Sequence, residues 1–207
     1  KSANELVLVP PSEGVGSGGT SPYSQTVNVA VSGGDYTTLQ AALNDITATS
    51  GSRYLIRVFP GTYTEIAGVV LESYVDIICQ GGPQATTIKR STAGNVINAD
   101  TNSVINARLE GCTIDTDSAD AGNTIISAGT GSPSLNNLVV QNTGAGTAAI
   151  GISVSTGSPE ISNSKISGSA TGFKLTGSGA PAIGRVEFIS TATDIDVDAG
   201  TVNVSYS

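Results

Sequence analysis

From residue 67 onward the chain is a succession of short, β-branched apolar runs, each broken within a few residues by Gly, Asn, Ser or Pro. None of this region carries the i, i+3, i+4, i+7 spacing of an amphipathic helix. The breaks recur at intervals. Gly131-Ser132-Pro133-Ser134-Leu135-Asn136-Asn137 matches Gly157-Ser158-Pro159-Glu160-Ile161-Ser162-Asn163, and then Gly179-Ala180-Pro181-Ala182-Ile183-Gly184-Arg185. The three prolines are separated by 26 and then 22 residues. Five positions after Leu135, Ile161 and Ile183 stand Val140, Ile166 and Phe188, and the pattern extends upstream to Leu109 and Ile114. A second apolar track runs through Ile126, Ile152, Leu175 and Val197, at spacings of 26, 23 and 22.

Units of 22–26 residues made only of short strands and turns predict an all-β solenoid, in which coils stack because none can bury its apolar side alone. Leucine-rich repeats share the period but need a dense Leu and Asn/Cys pattern that is missing here. A β-sandwich has no reason to repeat the same residues at fixed intervals. At ~4.8 Å per coil, about seven coils make a rod of roughly 34 Å.

The N-terminal part reads differently. Residues 1–25 combine Leu6-Val7-Leu8-Val9 with a Pro/Gly/Ser stretch and are expected to form an arm or linker, leaving 26–207 as the β-helix domain. The start at Lys1 without Met points to processing or to a longer parent chain. Val27, Val29 and Val31 alternate with polar neighbours as a strand, and Tyr54–Phe59 is another, stopped by Pro60-Gly61. Between them Leu39, Ala42, Leu43 and Ile46 share one helical face, with Asp35 or Thr37 as the expected cap. This segment, Thr38–Ile46, is expected to plug one open end of the solenoid. The other end, Thr193–Ser207, shows no such helix, only an alternation with a polar outer face.

Composition narrows the chemistry. The chain has no His, which removes imidazole catalysis, and only 13% charged residues with a net charge of −8. Its nine Lys and Arg are scattered, so nucleic acid is not an expected partner. No apolar run reaches the ~20 residues of a membrane span. Cys79 and Cys112 each lie in an apolar strand-like run and read as buried free thiols, with pairing as the alternative.

Gly34-Asp35-Tyr36-Thr37-Thr38-Leu39-Gln40-Ala41-Ala42-Leu43, Ile56–Glu65 with Pro60-Gly61-Thr62-Tyr63, and Gly81-Gly82 followed by Thr86-Thr87-Ile88 resemble the opening of pectin methylesterases. They also resemble the wider pectin-lyase-like superfamily, which includes phage tail proteins. The resemblance covers about a quarter of the chain and implies a right-handed parallel β-helix with an N-terminal capping helix. The family's reaction, as the resemblance implies it, needs two Asp on successive coils, Gln side chains as oxyanion donors and an Arg. Its motifs, Gly-x-Gln-Asp-Thr and Asp-Phe-Ile-Phe-Gly, are absent; past residue 90 the one Gln is Gln141, followed by Asn142.

Two acidic clusters deserve testing for carboxylate catalysis or cation binding: Asp115/Asp117/Asp120 and Asp194/Asp196/Asp198. The preferred readings are a solvated turn for the first and a charged terminal strand for the second. Glu110 and Glu187 each stand two residues from an Arg, as surface ion pairs would; Lys165 and Lys174 are remote from the acids in sequence. The Thr-x-Thr pairs at 47/49, 62/64 and 191/193 do not follow the coil period, and Asn136, Asn137 and Asn163 are expected to form an internal ladder at a turn. No catalytic, metal or cofactor-binding residue is assigned, and no cofactor is expected.

The sequence therefore reads as a non-catalytic structural and binding module. The expected setting is a virion tail, fibre or surface protein, on the virion or extracellular, contacting cell-surface glycan or a partner protein, with a homotrimer compatible with the exposed C-terminal coil. The alternatives are a polysaccharide-active lyase or hydrolase with carboxylates assembled across coils, and a bacterial surface adhesin.

Overall fold

The computed structural model describes residues 21–100, 104–118, 123–144, 150–189 and 191–205. Three stacks of parallel strands wind around one apolar core. The first stack contains β1 (Gln25–Val29), β2 (Tyr54–Val58), β5 (Val75–Cys79), β8 (Arg108–Glu110) and β11 (Ser134–Asn136). It continues into the first halves of β14 (Glu160–Ser167) and β16 (Ala182–Ile189) and ends at β18 (Asn203–Ser205). The second contains β3 (Gly61–Thr64), β6 (Thr86–Arg90), β9 (Thr113–Thr116) and β12 (Val139–Asn142), followed by the second halves of β14 and β16. The third contains β4 (Val69–Val70), β7 (Ile97–Asn98), β10 (Thr124–Ser127), β13 (Ile150–Val154), β15 (Thr171–Leu175) and β17 (Thr193–Val197). This is the expected all-β parallel β-helix. Among the described residues its third stack has six strands against eight in the first, hence about six turns rather than seven.

The registers reproduce the repeat. Ser134 pairs Glu160 and Glu160 pairs Ala182, which sets Pro133, Pro159 and Pro181 one above another. Leu109, Leu135, Ile161 and Ile183 form one buried column, and Ile114, Val140 and Ile166 a second that ends at half-buried Phe188. The third column departs from expectation. Ile152 pairs Phe173, while Leu175 stacks on Val154 and is followed by Val197. The connection between the second and third stacks shrinks from seven residues before β13 to three before β15, so this coil is two residues shorter than the 23-residue spacing predicts. A shift of two keeps side chains on the same face, and Phe173 enters the core with no exposed surface.

The corner between the first two stacks is built from left-handed backbone: Gly111, Asn137, Asn163 and Arg185 have φ of 78°, 51°, 50° and 53°. Asn tolerates this region better than other side-chain-bearing residues, which explains its recurrence at this place in the repeat. Asn163 Nδ2 donates to Asn136 Oδ1 (2.8 Å), and Ser162 Oγ to the same oxygen (3.2 Å). Asn137 and Asn163 are exposed, so this ladder runs along the outer surface rather than inside. A backbone turn needs its side chains only at the rim.

The helix α1 (Leu39–Asn44) caps the first coil with Leu39, Ala42 and Leu43 buried. Its cap is Thr38, not Asp35 or Thr37: Thr38 is extended, and its side chain accepts from Ala41 N–H (3.3 Å). Asp35 instead accepts from Asn28 N–H on β1 (2.8 Å). The buried Glu65, just past β3, accepts from Leu39 N–H (2.8 Å) and ties the helix to the coil beneath it. Burial pushes the Glu65 carboxyl above its ordinary pKa despite the backbone N–H groups that favour its charge. Val31 is 57% exposed, and the first strand stops at Val29. Tyr23 Oη donates to Asp76 (2.7 Å), and Ser24 N–H to the Arg53 carbonyl (2.8 Å), fastening residues 23–24 across the first stack. The Leu6–Val9 run and the Gly-rich stretch of the arm lie outside the described residues.

Gly157 marks a close approach of coils: a Cβ there would stand 2.0 Å from the Gly131 carbonyl oxygen, whereas at Gly51 it would meet nothing within 4 Å. Gly157→Ala should cost about 1–3 kcal/mol or more in urea melts, and Gly51→Ala less than ~0.5 kcal/mol. For Glu65, a raised pKa means its contribution is full below the unfolded value of about 4.3 and is lost as pH rises through the folded value. Glu65→Gln should therefore gain Tm relative to wild type as pH is raised from about 4 to neutrality.

Candidate functional site

A set of polar groups lines the outer face of the second stack. Strand alternation turns Ile88, Ile114 and Val140 inward. Thr64, Lys89, Asp115, Gln141 and Ser167 follow one another on neighbouring strands as an outward column. Asp115 is only 5% exposed. Thr143 Oγ1 donates to both of its carboxylate oxygens (3.0 Å each), and Lys89 Nζ sits 2.7 Å from Asp117 Oδ2. Burial holds Asp115 above the ordinary carboxylate range, against the Thr143 hydrogen bonds and the Lys89 charge. Asp117 is held below that range by its hydrogen bonds to Lys89 and Ser91, and Lys89 is raised in turn.

The other acidic cluster has the same construction one stack over. Lys174 pairs in register with Asp196, and its Nζ lies 2.7 Å from Asp196 and 3.3 Å from Asp198. Asp194 faces its own loop and accepts from Thr191. Lys174, remote from these acids in sequence, is thus brought to them by stacking; Lys165 comes to lie opposite Glu187. On the first stack Arg53 binds Asp76 at 2.9 Å, and Arg108 pairs with Glu110 as the spacing predicts. Arg185 occupies the left-handed corner position, so it and Glu187 do not share a strand face. Asp120 lies outside the described residues, and among those described no three metal-ligating side chains converge.

Sequence reasoning passed over the column centred on Lys89. The signal was present: Lys89, Asp115, Gln141 and Ser167 are each 26 residues apart. Applied to polar positions, the period that located the core would have located this face. Thr62, Thr87 and Thr113 also align, but the adjoining column is interrupted by Lys89 and Asp115, and Thr113 Oγ1 donates inward to the Pro83 carbonyl (2.8 Å). Where the polar column meets the helix there is a groove of about 310 Å³, lined by Thr38, Gln40, Asn44, Thr64, Glu65 and Ile66. Ile66 is 91% exposed at its edge. A second depression, about 460 Å³, lies beside Val31, Phe59 and Pro60.

No family model and no curated protein matches the chain. Solved structures do. A pectin methylesterase from carrot aligns with a TM-score of 0.57 at 14% identity, over 92% of this chain and 72% of the carrot protein. Pectin methylesterase PemA from Erwinia chrysanthemi aligns with a TM-score of 0.50 at 13% identity, over 81% of this chain and 66% of that protein. The chain has the pectin methylesterase fold. At this identity the likeness covers architecture, and the resemblance seen in the N-terminal residues is matched in the coils.

If Lys89 compensates a buried Asp115, Lys89→Met should lower stability more at neutral pH than at pH about 4, because the raised Asp115 carboxyl takes up its proton as the pH falls. Asp115→Asn in the same chain should recover most of the loss. Urea melts at the two pH values measure both, and an equal loss at both would contradict the coupling.

Proposed function

We propose that the protein is a non-catalytic β-helical scaffold that presents a polar, glycan-binding face, displayed on a virion or cell surface. The observation that carries this reading is the state of its carboxylates. Asp76, Asp117, Asp196 and Asp198 are each ion-paired with a Lys or Arg from another coil, and Asp115 is buried under Thr143. Glycosidic chemistry needs two carboxyl groups facing a substrate across an open gap of ~5–9.5 Å. The groove at Thr64 instead offers hydroxyl and amide groups beside an exposed aliphatic side chain, a lining suited to sugar hydroxyls and ring faces. The virion or surface setting rests on analogy with other β-helical proteins.

A second reading has one observation in its favour. Asp115 and Gln141 stand opposite each other on adjacent coils, and the fold is that of the carrot and Erwinia pectin methylesterases. Ester hydrolysis would require Thr143 to release the Asp115 carboxylate.

A glycan array with paired turnover assays decides between the two. The scaffold reading expects retained glycan without release of methanol or new reducing ends, and weaker retention in the Asn44→Ala/Thr64→Ala double variant. Methanol release from methylated pectin that is abolished by Asp115→Asn would overturn it in favour of the esterase.

A further inference from the structure

The chain contains two cysteines, and winding brings both to the same corner of successive coils. Cys79 ends β5, while Cys112 follows Gly111 just before β9. The β5–β8 register pairs Ile78 with Glu110, so the next residues, Cys79 and Gly111, stand opposite each other. A side chain at Gly111 would lie 2.9 Å from the Cys79 carbonyl oxygen, which shows how closely the strands approach there. With strands ~4.8 Å apart and ~3.3 Å per residue, the Cα atoms of Cys79 and Cys112 fall about 5.8 Å apart, inside the disulfide range. In a straight strand Cys112 would point away from Cys79. The left-handed Gly111 (φ 78°) turns the corner between them, and both thiols face the apolar core.

We propose that Cys79 and Cys112 form a redox pair that closes into a disulfide between successive coils when the protein meets a small-molecule disulfide such as oxidised glutathione. This rests on the position of the two residues and is independent of the ligand reading. The structure holds them as free thiols. Burial and contact with the Cys79 thiol push the Cys112 thiol up, so the folded pair resists ionisation and reaction begins during local opening. One cysteine thiolate then attacks the glutathione disulfide, giving a mixed disulfide and one glutathione thiolate. The second cysteine thiolate attacks the protein sulfur of that mixed disulfide, forming the Cys79–Cys112 bond and expelling the second glutathione thiolate. Two protein thiols are oxidised, one glutathione disulfide is reduced, and the two protein protons end on the departing thiolates.

The test equilibrates the folded chain at sub-denaturing urea in a reduced/oxidised glutathione buffer, with a dithiothreitol control. Expected are a mass loss of about 2 Da, no maleimide labelling after denaturation, and a Tm raised by roughly 5–15 °C over the control. Cys79→Ser should instead carry glutathione or a free Cys112, without the gain in Tm. Two labelled thiols, glutathione on each cysteine separately, or a closed bond that leaves Tm unchanged would overturn the proposal.

Discussion

A chain that returns to the same place every 21–32 residues must deliver a side chain of the same character each time it arrives. Leu109, Leu135, Ile161 and Ile183 do so on one wall, and Ile114, Val140 and Ile166 on another. A parallel neighbour at ~4.8 Å leaves no room for a mismatch in phase, because a slip of one residue would turn every inward side chain to solvent. The length of a coil, by contrast, is free to change wherever the connection lies outside the strands. The connection before β15 drops four residues relative to the one before β13, and Phe173 still arrives inside the core. Phase is conserved along this molecule; period is not.

The same rule determines what was legible in the residues and what was not. The aligned prolines, the two apolar columns and the capping face of Leu39, Ala42 and Leu43 are set by strand and helix periodicity, so a one-dimensional pattern reveals them. The third column was misaligned by two residues because parity, which the core enforces, cannot distinguish shifts of zero and two. The cap fell one residue late for a related reason: Asp35, Thr37 and Thr38 are all competent caps. Asp35 was committed to the Asn28 amide and Glu65 to Leu39, contacts between segments that no local reading contains. The Asn ladder was found, but on the wrong side of the wall, since the left-handed corner that recruits Asn lies at the rim.

Stacking also dictates where charge can go. Two like charges at the spacing of neighbouring strands would repel by about 1–3.5 kcal/mol between the limits of water and a protein surface. The columns described here alternate instead: Lys89 precedes Asp115, Lys174 precedes Asp196, and Asp76 precedes Arg108. Acids that look clustered along the sequence, Asp115 with Asp117 and Asp196 with Asp198, are therefore neutralised along the axis by a residue one coil away. This is the reason a motif search for paired carboxylates and the folded surface give opposite impressions of the same residues.

The likeness to pectin methylesterases sharpens that point. The carrot and Erwinia enzymes share this architecture at 14% and 13% identity, so the winding persists through replacement of most of the sequence. Inward positions answer to the core and outward positions to whatever lies outside, and only the second kind bears on activity. On the outward face here, the Asp115–Gln141 pair is closed by Thr143, while two strands away, beyond Lys89, a groove is lined by Thr64, Asn44 and the exposed Ile66. A carboxylate whose two oxygens both accept from the Thr143 hydroxyl must break that contact before it acts as a nucleophile or base. In that groove Gln40 is already engaged, its Nε2 donating to Asn44 Oδ1 (2.6 Å) and its Oε1 accepting from the Val70 N–H (2.7 Å). It is the outward lining, not the winding, that separates a site for recognition from one for turnover.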